Sequence, residues 1–278
     1  MNTSQITTDK LFELKDGNRI YYQHHFLGEE SPTVIFLNGL SQSTMSWGAV
    51  SPAFIGKCNV LLLDLVFQGK STAEGEFRSY DQHASDVTAL IQFLEIRKPV
   101  LCGLSYGSAV AQHALVLFPE VYAGAVLMST FAHNAEIFTA MGESWKSALK
   151  AGGYALLLDV MLPVVLGASY FEKPLIPIQT LKELRISNNL SAENLFKLMK
   201  ATETRGDYRE QLRNVKVPVL VIHGEEDLLI PVAMAGQVNE FLPESDFIVL
   251  EKVGHTLNLE AIPQISGLIR EYLEKNIS

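Results

Sequence analysis

Ser105 lies in the string Gly103-Leu104-Ser105-Tyr106-Gly107, between an apolar run, Val100–Gly103, and a helical pattern that starts at once. Small residues around a serine allow a sharp strand-to-helix turn that lifts the hydroxyl out at the edge of a sheet. A hydroxyl becomes a useful nucleophile when a base takes its proton and an acid holds that base in one tautomer. Residues 217–227 read VPVLVIHGEED, an apolar strand followed by Gly224 and three acids ending in Asp227. Residues 246–257 read DFIVLEKVGHTL, a short strand followed by Gly254-His255. Glycine-flanked serines are common turn residues, so the weight falls on order and context: Ser105, Asp227 and His255 each follow a strand. Three loops at one edge of a parallel sheet can converge on a ligand. The chemistry this predicts is acyl transfer, with Ser105 as nucleophile, His255 as base and Asp227 as the acid that orients it. Asp227 is preferred over Glu225 and Glu226 because the turn at Gly224 carries the third residue beyond it back over the sheet edge.

Acyl transfer also needs donors for the developing oxyanion. Residues 33–40 read TVIFLNGL, a strand ending in Asn38-Gly39-Leu40. The backbone amides of Leu40 and Tyr106 are the expected pair, with Gly39 letting the chain turn toward the cavity. Asn38, Gly39, His133, Met161 and Leu162 are expected to line the substrate pocket. The remaining histidines, His24, His25, His83, His113 and His223, fall within strand or helix patterns that give them no such place.

The elements that must position these residues alternate. Leu11–Leu14 and Arg19–Phe26 flank Asp16-Gly17-Asn18 as a hairpin. Strands are expected at Thr33–Leu37, Asn59–Asp64, Val100–Gly103, Gly124–Met128, Val217–Ile222 and Phe247–Leu250. Helices are expected at Trp47–Ile55, Tyr80–Glu95, Tyr106–Phe118, Pro231–Phe241 and Ala261–Lys275. Such alternation predicts an α/β fold, a mostly parallel central sheet flanked by helices. It breaks between Phe131 and Leu212, where helical runs are punctuated by Gly152-Gly153, Pro163, Pro174 and Pro177. Residues 131–212 are therefore expected to form an inserted helical cap, and 1–130 with 213–278 the core. The dense apolar patch from Tyr154 to Phe171 could supply an acyl-binding wall.

The 278 residues are 47% hydrophobic, enough for a large core, and carry a net charge of −9, which argues against nucleic acid as a partner. Two cysteines make no disulfide scaffold. Cys58 and Cys102 are expected to be free thiols. The polar start of the chain shows no secretory leader, and Tyr154–Gly167 is too short and interrupted to span a bilayer. A cytoplasmic location is the expectation. No metal-ligand spacing and no dinucleotide fingerprint occurs, so neither metal nor cofactor is expected. The expected partner is a small acyl ester or thioester; the oligomeric state is left open.

On these residues the chain resembles the α/β-hydrolase superfamily over nearly its whole length, which implies the α/β-hydrolase fold, a serine triad and a helical cap. Two segments depart from the common layout. Asn38-Gly39 stands where most members carry His-Gly, and Asp64-Leu65-Val66-Phe67-Gln68-Gly69-Lys70-Ser71 replaces a glycine-histidine-glycine turn. Together with Gly254-His255-Thr256-Leu257-Asn258-Leu259-Glu260, they resemble the acyltransferase that joins two hydroxy-fatty-acyl units into the lipid precursor of rhamnolipids. The regular elbow is that of ordinary esterases. The triad does not say whether water or a second hydroxyl takes the acyl group. Ester hydrolysis is the first reading, hydroxyacyl transfer from thioesters the second, and a non-enzymatic binding protein the third, against which the intact triad argues. Haloalkane dehalogenation would need a carboxylate where Ser105 stands.

Overall fold

The protein is described from a computed structural model covering residues 6–187 and 190–277. The first five residues of the expected leaderless start, and positions 188 and 189 of the expected cap, lie outside the described residues. Eight strands form one sheet: β1 Ile6–Glu13, β2 Arg19–Phe26, β3 Thr33–Leu37, β4 Asn59–Leu63, β5 Pro99–Leu104, β6 Gly124–Met128, β7 Val219–Gly224 and β8 Ser245–Leu250. Their spatial order is β1-β2-β4-β3-β5-β6-β7-β8. The two pairings of β2, with β1 and with β4, are antiparallel; from β4 to β8 every pairing is parallel. Strands β3 to β7 are buried along their whole length, as expected of parallel strands covered on both faces.

The helices are α1 Tyr80–Phe93, α2 Tyr106–Leu117, α3 Glu136–Val165, α4 Ala168–Glu172, α5 Ile178–Ser187, α6 Ala192–Thr204, α7 Arg209–Leu212, α8 Val232–Phe241, α9 Leu257–Glu260 and α10 Ile262–Asn276. Alternation of side chains along the strands divides the core in two. Ile35, Leu37, Leu61 and Leu63 pack with α1, α2, α8 and the inserted helices. Val34, Phe36, Val60 and Leu62 pack with Trp47, Phe54 and α10 on the other face. The insertion, α3 to α7, leaves the sheet after β6 and returns at β7.

Three elements differ from expectation. Strand β1 begins at Ile6, because the polar residues ahead of Leu11 pair with β2 at the sheet edge, where no apolar pattern is required. The Trp47–Ile55 segment is not an α-helix but two short 3₁₀ turns, Thr44–Trp47 and Ser51–Ala53, with Pro52 in the second. Helix α3 is far longer than the apolar run within it, and as a whole it is long and apolar enough to cross a membrane. Non-helical angles at Gly152 and Gly153 break it in two, however, and Trp145, Leu149, Leu158 and Met161 bury their side chains in the core.

Candidate active site

Strand β5 runs straight into α2, and Ser105 is the joint. Its backbone stands at φ 53°, ψ −110°, a conformation that costs on the order of 1–3 kcal/mol for a residue with a side chain. The neighbouring glycines make the turn possible. A Cβ on Gly103 would lie 2.4 Å from the Gly107 carbonyl oxygen, and one on Gly107 would lie 2.3 Å from that of Leu37. The Ser105 amide donates to Met128 O at 2.8 Å, and the Ser108 hydroxyl donates to Ser105 O at 2.7 Å. The strained residue is thus pinned on both sides.

Asp227 lies just past β7 and His255 past β8, and the sheet brings them together. His255 Nδ1 and Asp227 Oδ2 are 2.7 Å apart, with the aspartate buried. Asp227 Oδ1 accepts from the amides of Leu229 and Ile230 at 3.0 and 2.9 Å. The buried His223 brings Nε2 to 3.3 Å from Asp227 Oδ2 and to 2.8 Å from Ile230 O. Burial pushes the pKa of His223 down, more than Asp227 and the Ile230 carbonyl raise it. A neutral His223 protonated on Nε2 satisfies this arrangement and leaves Nδ1 as the bare nitrogen. Only its place at the end of a strand marks His223 in the sequence, and nothing local there points to Asp227 as its partner.

Gly224 serves close packing more than turning. A Cβ there would lie 2.1 Å from Gly254 O, and one on Gly254 would lie 2.2 Å from the Gly167 amide nitrogen. The acid loop, the histidine loop and the end of α3 therefore touch backbone to backbone. The His255 amide donates to Val165 O at 3.0 Å. One carboxylate secures this junction: Glu260 accepts from the amides of Gly167, Gly254 and Thr256, each at 2.9 Å. Of the other acids, Glu226 accepts from the Ser169 amide and hydroxyl at 2.8 and 2.7 Å, and Glu225 from the Lys252 amide at 3.2 Å. Neither carboxylate is engaged with His255.

Ser105, Tyr106, Gly39, Leu40 and His255 line one cavity together with Met161 and Val165 of α3. The void is about 590 Å³, part of it open to solvent. Tyr106 begins α2, so its amide has no acceptor within its own helix. Phe131, Tyr80 and Thr202 add wall, and Tyr80 and Thr202 join hydroxyls at 2.7 Å. Behind them Arg205 packs against the rings of Tyr80, Phe131 and Tyr208 and donates to Phe131 O at 2.7 Å. A second void of about 910 Å³ adjoins the first and shares Leu40, Phe138, Trp145, Thr202 and Leu229 with it.

Three expected pocket residues sit elsewhere. Asn38 is fully buried below the loop, where Nδ2 donates to Leu63 O, Asp64 Oδ1 and Gln68 Oε1 and Oδ1 accepts from Trp47 Nε1. Gln68 in turn donates to Gly39 O at 2.9 Å. The two sequence departures at Asn38 and Gln68 thus form one network that fixes the Gly39–Leu40 backbone. Leu162 faces the apolar core. His133, past β6, lines neither of the two voids, and burial, with the charge of Arg209, pulls its pKa down. Arg185 of α5 and Gln42 line the cavity without having been expected there. A basic residue in the last turn of a helix reads from sequence as a simple end charge. Among the described residues no His/Cys/Asp/Glu group could hold a metal ion.

Residues 34–264 match the profile of the alpha/beta hydrolase family. The chain belongs to that family. Among similar sequences, Bacillus subtilis YugF, described as an uncharacterized hydrolase, is 26% identical over 93% of this chain and 96% of its own. A 3-oxoadipate enol-lactonase of Acinetobacter baylyi is 28% identical over 83% of this chain and 84% of its own. Among solved structures, an esterase from Thermogutta terrifontis superposes with a TM-score of 0.84 at 21% identity, covering 99% of this chain and all of that one (100%). The deep-sea metagenome hydrolase MGS-M2 gives a TM-score of 0.88 at 22% identity over 96% of this chain and 98% of that one. The fold is the α/β-hydrolase fold, and the coarse activity that goes with the family is hydrolysis.

Proposed function

We propose that the chain is a serine hydrolase that cleaves a carboxylic ester or thioester through an acyl-enzyme. The observation that carries this reading is the His255–Asp227 contact at 2.7 Å, with His255 in the wall of the cavity that also holds the strained Ser105. With Nδ1 held by Asp227, His255 presents Nε2 as the base. It takes the Ser105 proton as Oγ attacks the substrate carbonyl, then returns it to the departing alkoxide or thiolate. Asp227 stabilises the imidazolium formed between these steps. The amides of Leu40 and Tyr106 donate to the oxyanion, a contribution of order 3 kcal/mol per donor in comparable sites. Water activated by His255 then releases the acid and frees Ser105. That a relative is an enol-lactonase and a structural neighbour an esterase supports acyl chemistry of this class.

A fluorophosphonate probe tests the reading directly. One adduct by intact mass, lost in Ser105→Ala, is the expected result. An adduct on a different serine, or none on folded protein, would remove Ser105 from its role.

The adjoining second void favours one further reading, transfer of the acyl group to a hydroxyl in place of water. It offers space beside Leu40 for an acceptor, and it fits the hydroxyacyl-transferase resemblance at Asn38-Gly39 and Asp64–Ser71. Mass analysis of products from hydroxyacyl thioesters separates the two: free acid supports hydrolysis, a dimeric hydroxyacyl ester supports transfer.

A further inference from the structure

The cavity beside Ser105 is walled mainly by aliphatic and aromatic side chains, yet Arg185 from α5 enters its lining. Among the described residues it is the one Lys, Arg, Asp or Glu in that wall. Its Nη1 lies 3.5 Å from Ser41 Oγ, beside the Gly39–Leu40 loop. Among the described residues no carboxylate forms an ion pair with it, nor with Arg19, Arg205 or Arg270, but none of those three enters this wall, and Arg78, Arg97, Arg209 and Arg213 each have an acidic partner. The residues outside the description include no Asp or Glu. Glu260, which together with Arg185 acts on Tyr170, is already engaged by three backbone amides. In a chain of net charge −9, this guanidinium stands without a counter-charge in a wall whose other side chains are apolar or uncharged polar groups and His255.

A guanidinium is a rigid fork of donors matched to carboxylate oxygens, and a partly desolvated one gains most from an anion brought to it. We propose that Arg185 and the Ser41 hydroxyl form an anion subsite that takes a carboxylate carried by the substrate in addition to its scissile ester. The preferred substrates are then half-esters, lactones or thioesters of dicarboxylic acids, held with the free carboxylate at Arg185 and the reacting carbonyl at Ser105. This deepens the hydrolase reading and rests on it, since the cavity must be the acyl site for the second group to matter.

The test is calorimetric, so it needs no turnover. Ser105→Ala protein is titrated with monomethyl succinate, adipate and suberate, each against its neutral dimethyl diester. At least one monoester should bind about tenfold tighter than its diester, a ratio appropriate to a charge-assisted bond. Adding Arg185→Gln should abolish the ratio, and adding Arg185→Lys should retain part of it, with melting curves checking that both variants fold. Equal affinities or no binding across all three pairs, or a preference that survives Arg185→Gln, overturns the subsite. Fluorophosphonate labelling of wild-type protein reports separately on Ser105, so failure of the subsite is distinguishable from failure of the hydrolase reading.

Discussion

At the scale of single residues, the Asp227 carboxylate is met by four groups: His255 Nδ1, His223 Nε2 and the amides of Leu229 and Ile230. An amide in its place would turn one acceptor oxygen into a donor facing donors. Asp227→Asn is therefore expected to slow acylation by about 10⁴ through the wrong His255 tautomer, read as the burst rate with a p-nitrophenyl ester. Glu225→Gln should stay close to wild type, because among the described residues that side chain is hydrogen-bonded by the Lys252 amide alone. A crippled Glu225→Gln beside an active Asp227→Asn would mean the acid has been misassigned. The three side chains proposed to react were singled out in the sequence because each sits in a short local pattern, a strand followed by a glycine-bearing turn. Asn38 was misread for a physical reason. A polar residue at a strand end can point into a cavity or down into the fold, and the choice depends on Asp64, Gln68 and Trp47, which are distant in sequence. Arg185 was invisible for a similar reason: α5 reaches the cavity only through tertiary packing.

At the scale of elements, the helical insertion supplies the wall of the cavity that faces Ser105. Its existence was legible from the missing strands between β6 and β7. Which of its apolar residues face inward was not, because α3 turns its faces anew after the break at Gly152 and Gly153. Met161 and Val165 line the cavity, while Leu156, Val160 and Phe171 are exposed. Each methylene buried on binding contributes about 0.8 kcal/mol. Rates should thus climb with acyl length until the void is full, and Met161→Ala should move the optimum to longer chains. An unchanged length profile in Met161→Ala would show that α3 does not measure the acyl chain. The junction just past the C-terminal end of α3, beside Val165, depends on Glu260. Glu260→Gln leaves at least one of three amides without its charged acceptor, so a loss of about 1–3 kcal/mol in unfolding free energy is expected, measured by urea denaturation.

At the scale of the whole molecule, acid sensitivity should be written into the face of the sheet that packs α1. His83 is completely buried, with neither ring nitrogen hydrogen-bonded, and burial, helped by the charge of Arg78, pulls its pKa down to about 3. The unfolded chain binds a proton there near pH 6.5 and the folded chain does not. The stability this group contributes is therefore complete above that value and declines as pH falls toward about 3. Between pH 6.5 and 5 the decline is about 2 kcal/mol. Asp86, pushed up to about 7 by burial, acts in the opposite sense, so the comparison must be a difference. Urea denaturation of wild type and His83→Leu at both pH values should give a smaller acid loss in the variant; identical losses would show that His83 does not carry the effect. The stitched end of α3 has a different consequence, for traffic. Val165 accepts from the His255 amide, and Gly167 lies against Gly254. In the proposed mechanism, any movement of α3 at this end would carry His255 with it, whereas movement of the half ahead of Gly152 is expected to leave His255 in place. The expected consequence is that substrate exchange through that half would leave the proposed base and nucleophile aligned.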